Sequence, residues 1–98
     1  MQDEIELQDA LEDLFRDAGL PYQREVTLGE RMRVDFMVGS IAIEIKVAGS
    51  RNSVMRQLAR YADCDAIEIV VLVTTVAQHY MPPELKGVPV HVIKLITF

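Results

Sequence analysis

Asp35, Glu44 and Lys46 are the residues of this 98-residue chain whose types and spacing could do chemistry. Glu44 and Lys46 are one i,i+2 step apart in residues 41–47, where Ile41, Ile43, Ile45 and Val47 alternate with Ala42, Glu44 and Lys46 as a strand requires. Asp35 stands between Val34 and Phe36 in the preceding apolar run, and Gly39-Ser40 is the two-residue linker of a hairpin. A hairpin turning there pairs residues whose numbers sum to about 79, which sets Asp35 opposite Glu44 with both side chains on one face. Two carboxylates directly opposite repel. A divalent cation resolves that conflict, because Mg²⁺ takes oxygen ligands and commonly keeps one or two carboxylates plus waters. Lys46 beside such a site can hold or deprotonate a water, or neutralise charge developing on a phosphoryl group. The bland alternative is an ion pair of Asp35 or Glu44 with Lys46 on an exposed sheet face. All three together, on strands otherwise this apolar, favour the chemical reading.

The elements that must position these residues read in the order α-β-β-β-α-β-(α)-β. Residues 3–18 form an expected amphipathic helix with Leu7, Leu11, Leu14, Phe15 and Ala18 on one stripe, stopped by Gly19 and Pro21. Strands are expected over 22–28, 33–38 and 41–47. A loop over 48–53 ends in helix-capping residues and leads to a second helix at about 53–62, with Val54, Leu58 and Tyr61 or Ala62 facing inward. Residues 67–74 are almost wholly apolar and β-branched, as a central strand buried on both faces would be. A short helix around 76–80 is expected before Pro82-Pro83. A last strand is expected over 88–96, where Pro89 implies an edge position or a slightly later start. The expected fold class is α/β, a mixed sheet of about five strands flanked by helices, in a single domain spanning 1–98.

Composition limits the function classes. Half the residues are apolar and about a quarter charged, the profile of a soluble globular protein. No apolar run approaches the roughly 20 residues of a membrane span, so no membrane partner is expected. The N-terminus is acidic where a signal peptide would be basic and then apolar. The lone Cys64 permits neither an internal disulfide nor a cysteine-based zinc site, so a reducing cytoplasm is the expected location. The net charge of −5 argues against a polyphosphate partner until its distribution is read. Residues 1–20 carry −6 and residues 61–98 carry −2, but residues 21–60, around the hairpin and the helix after it, carry +3. His79 and His91 lack metal-like spacing and read as structural.

With these residues in this order of elements, the chain resembles the PD-(D/E)XK nuclease superfamily. Its restriction-endonuclease-like core is αβββαβ, with an aspartate on the second strand and (Asp/Glu)-x-Lys on the third. The matching residues here are Val34-Asp35 and Glu44-Ile45-Lys46, with eight residues between Asp35 and Glu44. Val34 replaces the proline that usually precedes the aspartate, and the resemblance covers about residues 3–75. It implies a metal-dependent deoxyribonuclease, a DNA phosphodiester hydrolase using Mg²⁺ or Mn²⁺. Asp35, Glu44 and the backbone carbonyl of Ile45 would bind the metal, and Lys46 would position the attacking water.

Gln57 and Tyr61 form a Q-x-x-x-Y pattern like that of RecB-type members; as i,i+4 neighbours they could touch the site and the DNA backbone together. Many members also use a first-helix glutamate. Glu4, inside the apolar stripe of the helical wheel, is preferred over Glu12, and Gln8 could stand in. Arg33, Arg51, Arg56 and Arg60 are candidate DNA contacts, with Arg56 and Arg60 on one helix face able to grip consecutive phosphates; Arg31 also enters the aspartate strand. So small a module is expected to select structure or ends, or to take its targeting from a partner protein. Junction resolvases of the superfamily are dimers, and the apolar run Val90-His91-Val92-Ile93 with Leu95-Ile96 is a candidate homodimer interface. The rival functions are a catalytically weak nucleic-acid-binding module and a subunit of a larger nuclease complex.

Overall fold

The computed structural model describes residues 3–95. The elements are α1 (Glu4–Asp17), β1 (Gln23–Thr27), β2 (Arg33–Val38), β3 (Ile41–Lys46), α2 (Arg51–Ala62), β4 (Ile69–Thr74), β5 (Glu84–Leu85) and β6 (Val88–Lys94). They form an α/β fold with one mixed six-stranded sheet in the order β1-β2-β3-β4-β6-β5. β1, β2 and β3 pair antiparallel, β3, β4 and β6 pair parallel, and β5 returns antiparallel to β6.

Each helix covers one face. Leu7 and Phe15 of α1 pack with Phe36, Ile43, Ile45 and Val73. Val54, Leu58 and Tyr61 of α2 pack with Ala42, Val70 and Leu72 on the opposite side. The alternation of Ala42 with Ile43, and of Leu72 with Val73, is the period-two pattern that divides two cores. Asp3 caps α1 by accepting the Glu6 N–H at 2.8 Å. At the other end Gly19, with φ +66°, lets its own N–H reach the Arg16 carbonyl while the Leu20 N–H reaches that of Phe15. That paired arrangement satisfies the last carbonyls of the helix. Ser50 caps α2 through the Ser53 N–H.

Four expectations change. The sheet has six strands, because the two-residue β5 pairs with the start of β6. Residues 76–80 form a turn and not a helix, because tertiary hydrogen bonds from His79 hold that segment. Leu14 is 63% exposed, and Gln8 takes a buried place on α1 because its side-chain oxygen accepts from Arg24 (3.0 Å). α2 begins at Arg51, two residues early, since Ser50 supplies the cap. Pro89 falls before the pairing of β6 with β4 begins at Val90, so its missing N–H interrupts no parallel ladder. Of the apolar C-terminal run, Val90 is buried, Ile93 and Leu95 are half-exposed, and Ile96 lies outside the described residues. Among the described residues, no helix is long and apolar enough to cross a membrane.

Candidate active site

The site forms where the β2–β3 hairpin opens. The ladder runs from Val38↔Ile41 through Phe36↔Ile43, and the same register sets Asp35 against Glu44. There the side chains take over from the ladder. The Asp35 N–H donates to Glu44 Oε1 (3.3 Å), and the Ile45 N–H donates to Asp35 Oδ2 (2.8 Å). Because the N–H and C=O of one strand residue point to the same edge, the Ile45 carbonyl is directed toward the Asp35 side of the opening.

A backbone feature on β1 accompanies this opening. Glu25, opposite Asp35, has φ +54°, a left-handed conformation that a side chain disfavours. Its neighbours Arg24 and Val26 pair with Phe36 and Val34. Arg24 reaches Asp9, Glu12 and Gln8 of α1, whereas Val26 packs on the α2 side. Phe36 and Val34 likewise belong to opposite cores. The strand pair therefore changes face at Glu25 and Asp35, and the Asp35 carboxylate is directed at the β3 backbone.

A cavity of about 280 Å³ lies over the opening, lined by Glu4, Arg31, Met32, Arg33, Asp35, Glu44, Lys46, Gln57, Arg60 and Tyr61. Lys46 Nζ is 3.5 Å from Glu44 Oε2. Gln57 Nε2 donates to the same oxygen (2.8 Å) and also to Tyr61 Oη (2.9 Å), and the Tyr61 hydroxyl donates to the Arg33 carbonyl (3.0 Å). Gln57 and Tyr61 thereby tie α2 to both strands of the opening.

Burial dominates the electrostatics. Desolvation, and then the neighbouring Asp35 charge, push the Glu44 carboxyl up to about 7, while Lys46 opposes the rise. Burial also raises Asp35, with the Ile45 N–H pulling the other way. Tyr61 is raised by burial and by the Glu44 charge. Two carboxyls held this way prefer to keep a proton or to share a cation. Asp35, Glu44 and the Ile45 carbonyl are the hard oxygen donors that Mg²⁺ or Mn²⁺ takes, so these residues fit such an ion. Glu4 lines the same cavity, but among the described residues no three His, Cys, Asp or Glu side chains converge as a metal-holding group.

Of the residues singled out in the sequence, Glu4, Arg33, Asp35, Glu44, Lys46, Gln57, Arg60 and Tyr61 line one cavity. Glu12 is turned away, paired with Arg16 and Arg24. Arg56 is exposed outside the cavity lining, so it does not share the site with Arg60. Arg51 is also outside, donating to the Tyr80 carbonyl (2.8 Å). Tyr61 is 1% exposed and spends its hydroxyl on the Arg33 carbonyl, so it props the site and presents no surface to a DNA backbone. Arg31, which like Arg33 enters the aspartate strand, also lines the cavity, and so does Met32 between them, which no sequence motif marks.

Comparison with family models, with curated protein sequences and with solved structures finds no match to this chain. The functional reading therefore stands on the geometry of this site and on its short motifs.

Proposed function

We propose that this chain is a divalent-metal-dependent phosphodiester hydrolase acting on DNA, with a restriction-endonuclease-like core of the PD-(D/E)XK kind. The observation that carries the reading is the opposition of Asp35 and Glu44 in one polar cavity, with Lys46 3.5 Å from Glu44. A purely structural strand pair gains nothing from two desolvated carboxyls facing one another.

Asp35, Glu44 and the Ile45 carbonyl would hold the cation, which supplies Lewis-acid polarisation of a phosphoryl oxygen and a lowered pKa for water. Lys46 is the group placed to donate to the attacking water and to offset charge developing at phosphorus. Gln57 fixes the Glu44 carboxylate through a 2.8 Å hydrogen bond, so that carboxylate needs little rearrangement during the reaction. Arg31, Arg33 and Arg60 on the cavity wall supply positive charge for the flanking phosphates.

Asp35→Asn and Glu44→Gln test this directly. Each is expected to abolish Mn²⁺-dependent cleavage of linear, flap and four-way-junction DNA while the protein still melts cooperatively. Retained cleavage in both would place the chemistry elsewhere. One observation favours a second reading, a binding module without cleavage. Among the described residues, no three His, Cys, Asp or Glu side chains converge as a metal-holding group. No rise in Tm on adding Mg²⁺ or Mn²⁺ at pH 7.5 would support that reading.

A further inference from the structure

Tyr80 is 62% exposed on a segment held by several hydrogen bonds. Its neighbour His79 is fully buried, with Nε2–H donating to the Gly49 carbonyl (2.8 Å) and Nδ1 against the Thr74 hydroxyl (2.7 Å). The Thr74 hydroxyl in turn accepts the Val76 N–H (3.0 Å). The Tyr80 carbonyl accepts from Arg51 at the start of α2 (2.8 Å). Lys94 Nζ stands 4.1 Å from the centroid of the Tyr80 ring and is held by the Ala77 carbonyl (2.8 Å). One ring face carries a cation, and exposure this large leaves the other to solvent. An aromatic ring displayed by a buried anchor, with Lys94 over it and Arg51 on its main-chain carbonyl, belongs to neither core.

Its place in the sheet relates it to the catalytic cavity. Lys46 pairs in register with Thr74, and Thr74 with Lys94, so the two lysines lie in one row across the carboxyl ends of β3, β4 and β6. Two strand spacings put their Cα atoms roughly 10 Å apart. The ends of parallel strands are where open α/β sheets take ligands. Single-stranded nucleic acid is bound by this pair of features, cations along the backbone and an aromatic face under a base.

We propose that Tyr80, flanked by Arg51 and Lys94, is a stacking platform for one base of a single-stranded nucleic-acid segment. The strand would cross the ends of β4 and β6 on its way to or from the cavity at Lys46. The platform itself does not depend on cleavage; only its pairing with the cavity rests on the hydrolase reading. It makes the substrate a single strand, or a duplex splayed near the cut, and not an intact duplex.

The test is binding of a fluorescent oligo-dT by anisotropy, without divalent metal, against an abasic oligonucleotide of equal length that keeps every phosphate. Wild type is expected to bind oligo-dT about tenfold more tightly than the abasic strand. Tyr80→Ala is expected to lose about tenfold for oligo-dT and little for the abasic strand, while Tyr80→Phe stays within about twofold of wild type. Equal affinity of wild type for the two strands would overturn the platform, even if the alanine variant fails to fold. So would an unchanged Tyr80→Ala or an absence of oligo-dT binding. Tyr80-dependent binding with no Mn²⁺-dependent cleavage by wild type would sink the hydrolase reading and leave the platform standing. Cleavage with no Tyr80 dependence would do the reverse.

Discussion

The main-chain N–H of Asp35 donates to the carboxylate of Glu44 at 3.3 Å, so a side chain stands where a ladder carbonyl would be as β2 leaves β3. This contact favours the charged Glu44 carboxylate, but burial of the pair outweighs it and raises both carboxyls, which makes them sensitive to pH. Both bind a proton more tightly in the folded chain than in the unfolded one. Between the ordinary carboxylate range and about 7 the folded state therefore holds more protons, and stability falls as pH rises through that window. Without metal, Tm is expected to drop by roughly 5–15 °C between pH 5 and pH 7.5. Glu44→Gln should flatten that dependence, and Mg²⁺ at pH 7.5 should restore the wild-type Tm. A wild-type melt independent of pH would contradict the account of the pair.

Gln57 supplies one of the hydrogen bonds that bear on that transition. Its Nε2 donates to Glu44 Oε2, a contact that favours the charged carboxylate. Gln57→Ala should move the pH midpoint of the stability change upward. Tyr61→Phe removes a hydroxyl that also favours the charged Glu44, so it should raise the midpoint too, and it should lower stability by about 1–2 kcal/mol because the Arg33 carbonyl loses its buried donor. Urea melts across pH separate the two effects.

The left-handed Glu25 opposite Asp35 carries a local conformational cost. Glycine adopts that conformation freely, so Glu25→Gly should leave stability unchanged or raise it by up to about 1 kcal/mol. Valine, branched at Cβ, should lower it by about 1–2 kcal/mol at the same position. The comparison of urea midpoints decides; a destabilising glycine and a neutral valine would mean the side chain, not the backbone, matters there.

Much of the site was legible because short-range geometry carries it. A two-residue turn at Gly39-Ser40 fixes the register by arithmetic, and an i,i+4 spacing fixes Gln57 beside Tyr61. The helical wheel of α1 put Glu4 on the cavity side, although Leu14, on the same expected stripe, is exposed. What was hidden depends on distant partners. His79 holds residues 76–80 through Gly49 and Thr74, and no local pattern announces it. Arg24 draws Gln8 inward from sixteen residues away. Glu25 adopts a conformation that its residue type disfavours, so propensity points the wrong way. The two-residue β5 exists only because β6 offers it an edge.

Lys46 separates a catalytic site from a carboxyl pair that merely holds an ion. Its Nζ is close to Glu44, yet it is not among the groups proposed to hold a cation. The deciding measurement is the initial rate of Mn²⁺-dependent DNA cleavage by wild type and by Lys46→Ala purified in parallel. The expected result is a loss of about 100-fold or more in rate, with the Mn²⁺-induced rise in Tm retained. Equal rates in the two proteins would contradict the assignment of this cluster as the active site.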